Sequence, residues 1–263
     1  MNQKISIGEF LMMYQYMAYF SDPITTACAI LMRYRANMVH VARIDKLSDD
    51  AKIPKETKKY MTNTENLFFT EKYDFYKGKE KTDFLFHIDK LKIKKGGLYV
   101  IKGENGSGKS MFLNLLFGNV KLSFSRGGFI LTDEMDEAAF LTYPIFTVDG
   151  DFMKNMYEIP IDKELMHLLQ VDFSDKEILS NPVNLSYGQQ QKLALLRVFG
   201  LNSPILFLDE PLSNLDKKTQ ENVVAYIRKL KGEKTILVVM HSDELDEAAD
   251  SVIYIENKKL IQK

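Results

Sequence analysis

The chain has 263 residues, a formal net charge of −1 and a single cysteine, Cys28. This length allows one domain of about 200 residues plus a smaller appendage. The near-zero charge argues against a global basic field of the kind that attracts nucleic acid. One cysteine excludes both an intramolecular disulfide and a cysteine-rich metal site.

The first predicted element is a long apolar segment from Phe10 to Met32, in which Asp22 is the only charged residue. As a helix rising about 1.5 Å per residue it would span roughly 35 Å, enough for a bilayer core of about 30 Å. Arg33, Arg35 and Arg43 follow, and this asymmetry places the C-terminal side in the cytoplasm. We therefore predict one membrane-spanning helix within residues 1–46.

Two alternatives exist for this segment. A secretory signal peptide is disfavoured because the apolar run is long and no small-x-small cleavage site follows it. A pair of amphipathic helices packed on the next domain remains open.

Residues 47–66 are charged, contain Pro54 and show little periodicity, which predicts a linker. Strands of a small β-subdomain are predicted at 67–69, 85–88 and 91–93. The charged run 77–83 between them is typical of a solvated hairpin.

The pattern G-x-x-x-x-G-K-[ST] runs from Gly103 to Ser110, between an apolar strand at 98–101 and a helix at 111–117. Glycines let backbone N–H groups turn inward around phosphate oxygens, and the helix start adds a partial positive charge. Lys109 is predicted to reach the β- and γ-phosphates, and Ser110 to ligate Mg²⁺. The predicted nucleotide site comprises Gly103, Glu104, Asn105, Gly106, Ser107, Gly108, Lys109, Ser110 and Met111.

A second buried strand at 205–208 delivers Asp209 and Glu210 to the carboxyl edge of the sheet, where open α/β sheets bind ligands. We expect Asp209 to hold Mg²⁺ directly or through water. We expect Glu210 to orient or deprotonate an attacking water. His241 directly follows the next strand, 235–240.

The remaining pattern alternates strands and helices. A helical insert is predicted at 151–184, helices at 217–230 and 243–249, and a last strand at 252–255. Such alternation favours a mostly parallel α/β core.

The P-loop, the segment Leu185-Ser186-Tyr187-Gly188-Gln189 and the strand ending in Asp209-Glu210 occur in that order. Together they resemble the nucleotide-binding domain of ATP-binding cassette (ABC) proteins. The resemblance implies a P-loop NTPase fold over residues 67–263: a mostly parallel sheet core, a small antiparallel β-subdomain and a short helical subdomain.

The same resemblance implies that two such domains meet head to tail with two ATP molecules between them. Ser186, Gly188 and Gln189 would then cap the γ-phosphate of the opposite subunit, and Asp216 would belong to the D-loop, residues 213–216, at the dimer seam. His241 resembles the switch histidine that contacts the γ-phosphate.

An aromatic residue upstream of the P-loop stacks on adenine in this family. Tyr76 is favoured for this role over Tyr73 and Phe75 by its spacing to the loop. A surface tyrosine of the β-subdomain is the alternative.

The sequence departs from the family at two positions. Tyr187 replaces a glycine of the signature segment, and Tyr143 falls at the position of the glutamine that touches Mg²⁺ and water. Tyrosine can donate a hydrogen bond but is a poor Mg²⁺ ligand. Weakened turnover or coupling is therefore expected.

The N-terminal segment resembles the last membrane helix of an ABC exporter through Ile7-Gly8-Glu9-Phe10, Tyr16, Asp22-Pro23-Ile24 and Ala42-Arg43-Ile44. The predicted protein is an ATP- and Mg²⁺-dependent ATPase component of a membrane exporter, with its ATPase domain in the cytoplasm. Further membrane helices would lie on another chain, and a peptide or small bacteriocin would be the substrate.

Two alternatives to this function remain. One is a degenerate regulatory subunit that binds ATP but barely hydrolyses it, which Tyr143 and Tyr187 favour. The other is a soluble, non-transport ABC ATPase that acts on nucleic acid or ribosomes, which the apolar N-terminus disfavours.

Overall fold

The computed structural model describes residues 7, 12, 59–60, 65–77, 83–117, 128–131, 137–141, 143–157 and 159–263. The chain divides into two units, Met1–Pro54 and Lys55–Lys263. In the first unit, Ile7 and Met12 are helical and exposed. The rest of the predicted spanning segment, Cys28 and most of the predicted linker lie outside the described residues. Within the described ranges, no helix is long and apolar enough to cross a bilayer.

The second unit is built on one mixed sheet. Its strands in the described residues are β1 (Lys59–Tyr60), β2 (Asn66–Lys77), β3 (Asp83–Lys94), β4 (Leu98–Gly103), β5 (Gly128–Leu131), β6 (Ala139–Leu141), β7 (Ile205–Asp209), β8 (Thr235–Val239), β9 (Ser251–Glu256) and β10 (Lys259–Gln262). They lie in the order β1-β5-β2-β3-β10-β9-β4-β8-β7-β6.

The helices of this unit differ in length. They are α1 (Lys109–Phe117), α2 (Phe152–Asn155), α3 (Lys163–Leu168), α4 (Tyr187–Gly200) and α5 (Lys217–Leu230), with one 3₁₀ turn at Asp246–Ala248. The insert predicted at 151–184 is thus the short helices α2 and α3, each begun by an aspartate cap, followed by irregular chain.

The parallel core consists of β6, β7, β8, β4 and β9. Strands β4, β7 and β8 are almost continuously buried, as expected for a sheet covered on both faces. Ile205 and Phe207 of β7 pack in the cluster that contains α1, whereas Leu206 and Leu208 pack in the cluster that contains α4 and α5. The sheet is therefore held between helices, and its carboxyl edge is fixed.

The antiparallel part is simpler than the sequence suggests. The prediction of separate strands at 85–88 and 91–93 is wrong. Both segments belong to the 12-residue strand β3, which pairs with β2 along its length. The polar pair Asp89-Lys90 interrupts the apolar pattern and is exposed, but the ladder with β2 continues through Ile88 and Lys90. Residues 78–82 of the predicted hairpin lie outside the described residues.

The predicted helix at 243–249 is also wrong, because only the 3₁₀ turn Asp246–Ala248 forms there. Lys102 at the end of β4 forms ion pairs with Asp243 and with Asp246, the latter at 2.5 Å. Asp250 accepts the backbone N–H of Leu98 at 2.8 Å. These three anchors hold the segment against β4 and explain why it does not continue as an α-helix.

Candidate functional site

The glycine loop between β4 and α1 is pressed tightly against the sheet. Gly103 has φ +153°, and a Cβ there would lie 2.5 Å from the Ile255 carbonyl oxygen and 2.8 Å from Ser107 Oγ. Gly106, also at positive φ, has open space where a side chain would stand. Only glycine fits the first position, and the loop tip leaves room for a ligand to approach the backbone.

Lys109 occupies the centre of this loop. It is only 6% exposed, and its Nζ donates to the carbonyl oxygens of Gly103 and Glu104, each at 2.9 Å. Both acceptors are formally neutral, so the ammonium charge remains available to attract an anion. This arrangement suits the binding of phosphate groups.

Asp209 ends β7 beside the loop. Burial has the largest effect on Asp209 and raises its pKa, and the charge of Glu210 acts in the same direction. A hydrogen bond from Ser110 and the charge of Lys109 partly oppose this rise. In the described part of the chain, Asp209 Oδ1 and Ser107 Oγ are buried without a hydrogen-bond partner. Mg²⁺ prefers oxygen ligands, so the Asp209 carboxylate and the Ser110 hydroxyl bonded to it fit the predicted cation.

Glu210 adopts a conformation that is unusual for a residue with a side chain, with φ +48°. Its Oε1 lies 3.1 Å from His241 Nε2, and its Oε2 accepts the Ser213 hydroxyl at 3.1 Å. Both Glu210 and His241 are about half exposed. The structure therefore brings the predicted base and the predicted switch histidine into direct contact at an accessible edge.

The signature segment begins α4. Ser186 is the N-cap, and it forms a reciprocal capping box with Gln189. A Cβ on Gly188 would lie 2.7 Å from the Asn214 carbonyl oxygen, so this segment touches the predicted D-loop closely. Tyr187 is 73% exposed. The predicted helix start at Ser186 is confirmed, while the contact of this segment with a second subunit stays a prediction.

Asp216 has an evident role inside its own chain. Its carboxylate caps α5 by accepting the Thr219 N–H at 2.9 Å and the Thr219 hydroxyl at 2.7 Å. The Thr219 side chain, then its backbone, lowers the pKa of Asp216 to about 2. Its predicted place at a dimer seam stays a prediction.

The three aromatic candidates for adenine stacking differ in burial. Tyr73 and Phe75 are 4% and 0% exposed and belong to the core, so they cannot stack on a ligand. Tyr76 is partly exposed and contacts the Phe84 ring edge-on at 5.5 Å. The preference for Tyr76 is consistent with this burial pattern, and its contact with adenine stays a prediction.

Sequence reasoning missed two polar side chains near the site. Gln191 is fully buried in α4 and donates to the carbonyl oxygens of Glu210 and Pro211 at 3.3 and 3.0 Å. Its spacing of four residues from buried Leu195 was the available signal. Lys102, which holds the segment after His241 as described above, had no such signal.

Comparison with known proteins agrees with this geometry. Residues 86–213 match the sequence model of the family described as ABC transporter. A probable ABC transporter ATP-binding/permease protein of Haemophilus influenzae is 31% identical over 65% of this chain and 35% of its own length. The lactococcin transport/processing ATP-binding protein LcnC-like of Lactococcus lactis is 28% identical over all of this chain and 39% of its own length.

An ATP-dependent lipid A-core flippase of Mannheimia succiniciproducens is 23% identical over all of this chain and 49% of its own length. The chain thus spans less than half the length of these three relatives. The family match covers the P-loop, the signature segment and the carboxylate pair. The chain therefore carries a nucleotide-binding domain of the ABC transporter type.

Proposed function

We propose that this chain is the ATP-binding and ATP-hydrolysing component of an ABC exporter, and that it works as one of a pair of such domains. The contact that carries the proposal is the one at the end of β7. There Asp209 bonds to Ser110 of the P-loop, and the next residue, Glu210, bonds to His241. One strand end thus joins the phosphate loop to a base and a histidine.

The residues of the chain have distinct tasks in ATP hydrolysis. The loop N–H groups and Lys109 bind the phosphates, and Ser110 with Asp209 would hold Mg²⁺. When bound, this ion neutralises negative charge on the phosphate oxygens. Glu210 accepts a proton from the attacking water, and His241 positions the Glu210 carboxylate and the γ-phosphate. Phosphoryl transfer of this kind depends on positioning and charge stabilisation.

A second ATPase domain completes the site in this proposal. Tyr187 is exposed at the start of α4, and Ser186 and Gly188 stand beside it on the same short segment. An accessible helix N-terminus can bind the phosphate of a second nucleotide. Ser186, Gly188 and Gln189 would contact ATP held by the partner domain, and Tyr76 would stack on the adenine of the chain's own ATP.

The exporter assignment rests on alignments that extend through the N-terminal residues. Relatives named for lactococcin transport and for lipid A-core flipping align over the whole chain. We propose that residues 10–32 span the membrane and that the ATPase domain faces the cytoplasm. The lactococcin relative favours a peptide substrate of the bacteriocin kind.

The hydrolysis proposal is tested with the purified chain. We expect Mg²⁺-dependent ATP hydrolysis, and we expect Glu210→Gln to retain ATP binding while turnover falls by about 10²-fold or more. ATP binding is read from a fluorescent nucleotide and turnover from phosphate release. Normal hydrolysis by Glu210→Gln would remove Glu210 from the role of base.

The membrane proposal needs a separate measurement. Membranes from cells that express the chain are washed with alkaline carbonate and blotted. Retention in the pellet is expected if residues 10–32 span the bilayer. Release into the supernatant would contradict the exporter assignment. It would favour the alternative in which the N-terminal segment forms amphipathic helices that pack on the ATPase domain.

A regulatory subunit with weak hydrolysis is the second candidate function. It is favoured by Tyr143, which stands where the family has a glutamine and whose hydroxyl is bonded to Gln191. Such a subunit would bind ATP without appreciable turnover alone and would gain activity with a second ABC domain. Robust turnover by the purified homodimer would contradict this candidate.

A further inference from the structure

Tyr143 lies just after β6, with 43% of its surface exposed, yet its hydroxyl bonds the fully buried side chain of Gln191. Its Oη lies 2.5 Å from Gln191 Oε1 and 3.3 Å from Asn214 Nδ2. The three residues come from the segment after β6, from α4 and from the turn before α5. One phenol thus connects three separate segments around the proposed hydrolysis site.

The direction of each hydrogen bond in this network is determined by the acceptors. Gln191 Nε2 faces the carbonyl oxygens of Glu210 and Pro211, which can only accept. Gln191 Oε1 therefore faces Tyr143, and the Tyr143 hydroxyl must donate to it. The Asn214 amide donates to the same hydroxyl. The single Tyr143 hydrogen is thus committed to Gln191.

The protonation state of Tyr143 suits this role. Burial has the largest effect on Tyr143 and raises its pKa above the ordinary value. The hydrogen bond from Asn214 lowers the pKa, and the charge of Glu210 raises it. The phenol is therefore a neutral donor throughout the physiological pH range. Its action does not depend on titration.

The backbone at the far end of the network needs support. Glu210 has a positive φ of 48° and Asn214 one of 61°, so both ends of this turn are in the left-handed region. Residues with side chains occupy that region at a cost, and surrounding contacts must hold them there. Gln191 supplies two such contacts from the buried interior of α4, and Asn214 is itself bonded to Tyr143.

We propose that Tyr143 is a positioning residue that holds the turn 210–214, and with it the Glu210 carboxylate, through Gln191 and Asn214. The inference rests on the proposed ATPase function for its effect on rate, but its structural part stands on the network alone. Tyr143 then differs from a glutamine at this position in its mode of action. It acts on the protein turn that carries Glu210 and is not a ligand of Mg²⁺.

Hydrogen exchange tests the structural part without nucleotide. Tyr143→Phe removes only the hydroxyl, and Tyr157→Phe is a matched control, because Tyr157 is 47% exposed and its hydroxyl bonds the Phe146 carbonyl outside the network. We expect faster amide exchange in the peptide covering 205–216 for Tyr143→Phe and unchanged exchange for Tyr157→Phe. Equal exchange in the parent and Tyr143→Phe would overturn the proposal.

Steady-state kinetics tests the effect on rate. Tyr143→Phe leaves Gln191 Oε1 buried without its donor, so we expect kcat to fall about tenfold. KM for ATP and the Mg²⁺ concentration for half-maximal rate should not change. Asn214→Gly added to Tyr143→Phe should cause little further loss, because both substitutions break one network. Tyr157→Phe should hydrolyse ATP as the parent does.

The variant Tyr143→Gln separates a positioning role from a metal-binding role. A glutamine is shorter than a tyrosine, so we expect it to behave as Tyr143→Phe does. A rise in kcat together with a lower Mg²⁺ requirement would show that this position acts through the metal and would overturn the proposal. If the parent shows no hydrolysis, the proposed function fails, while the exchange measurement still decides whether Tyr143 holds the turn.

Discussion

The end of β7 and the start of α5 each carry an aspartate, and the structure uses the two in opposite ways. Asp209 is buried, its pKa is raised, and its Oδ1 has no partner in the described part of the chain. Asp216 is half exposed, its pKa is lowered to about 2, and both its oxygens accept hydrogen bonds from Thr219. One Asp209 oxygen is thus available to bind a ligand, whereas both Asp216 oxygens already accept hydrogen bonds.

This difference separates function from stability within a short stretch of chain. A buried carboxylate without full hydrogen bonding destabilises the fold, and such sites are typical of ligand binding. A carboxylate that caps a helix stabilises the fold. We therefore infer that Asp209 is retained for its chemistry, whereas Asp216 has a structural task that does not depend on a second subunit.

The largest effect is expected from Asp209→Asn. The amide keeps the size of the side chain but removes the negative charge that would hold Mg²⁺, so turnover should fall by about 10²-fold or more. The free energy of unfolding at neutral pH should not fall and should even rise, because a buried charge has been removed. Phosphate release and denaturant unfolding measure the two quantities. A variant that both hydrolyses normally and unfolds more easily would reverse the comparison.

The next effect is expected from Asp216→Ala. Loss of the cap of α5 should lower the free energy of unfolding by about 1 kcal/mol. Asp216→Asn is the matched control, since asparagine is an equally good N-cap and should leave the stability nearly unchanged. Urea unfolding at pH 7 measures both. If Asp216→Asn is as damaging as Asp216→Ala, the charge and not the cap is important.

The pH dependence of these variants should differ in sign. The pKa of Asp216 is about 2 in the folded protein, below its unfolded value of 3.8. Its ionised carboxylate therefore stabilises the folded state above pH 3.8, and this stabilisation is lost as the pH falls towards 2. The pKa of Asp209 is raised in the folded protein. Its protonated carboxyl group therefore stabilises the folded state below pH 3.8, and this stabilisation is lost as the pH rises through the folded pKa.

Unfolding of each variant across an acid series measures these contributions. The deficit of Asp216→Ala should shrink below about pH 4, while the gain of Asp209→Asn should grow as the pH rises. Parallel curves for the two variants would contradict the assigned pKa directions.

The two aspartates also show what a sequence can and cannot predict. The place of Asp209 follows from a local pattern, a buried strand that ends beside a P-loop, and the match of residues 86–213 to the ABC family agrees with it. The cap of Ser186 is likewise local. In contrast, Tyr143 and Gln191 are 48 positions apart, and Lys102 and Asp243 are 141 apart. Such contacts depend on strand register and loop paths that no local pattern encodes.

Local patterns also misled at two elements. Asp89-Lys90 split the apolar pattern of β3, and the sequence cannot show that the pairing with β2 continues on both sides, through Ile88 and Lys90. The segment 243–249 has the composition of a helix, but Asp243 and Asp246 pair with Lys102, and Asp250 just beyond the segment accepts the Leu98 N–H. In both cases tertiary contacts outweigh the local preference.

The smallest effect is expected from Lys192→Met. Lys192 Nζ lies 3.6 Å from Asp216 Oδ2 and donates to the Gln170 carbonyl at 3.0 Å. An ion pair whose carboxylate is half exposed contributes little, so its loss should lower the free energy of unfolding by about 0.5 kcal/mol. The methionine keeps most of the apolar stem of Lys192, a side chain that is only 13% exposed. The same urea unfolding experiment, run in low and in high salt, measures the change.

The comparison with Asp216→Ala then separates the cap from the ion pair. Thr219 supplies the two leading causes of the lowered pKa of Asp216, and Lys192 contributes less than either. Asp216 should therefore keep its stabilising effect in the Lys192→Met background, with a cost of Asp216→Ala that is nearly the same in both backgrounds. If Lys192→Met instead removed the whole effect of Asp216, the carboxylate would be held by charge, and the contrast with Asp209 would concern ion pairing and not helix capping.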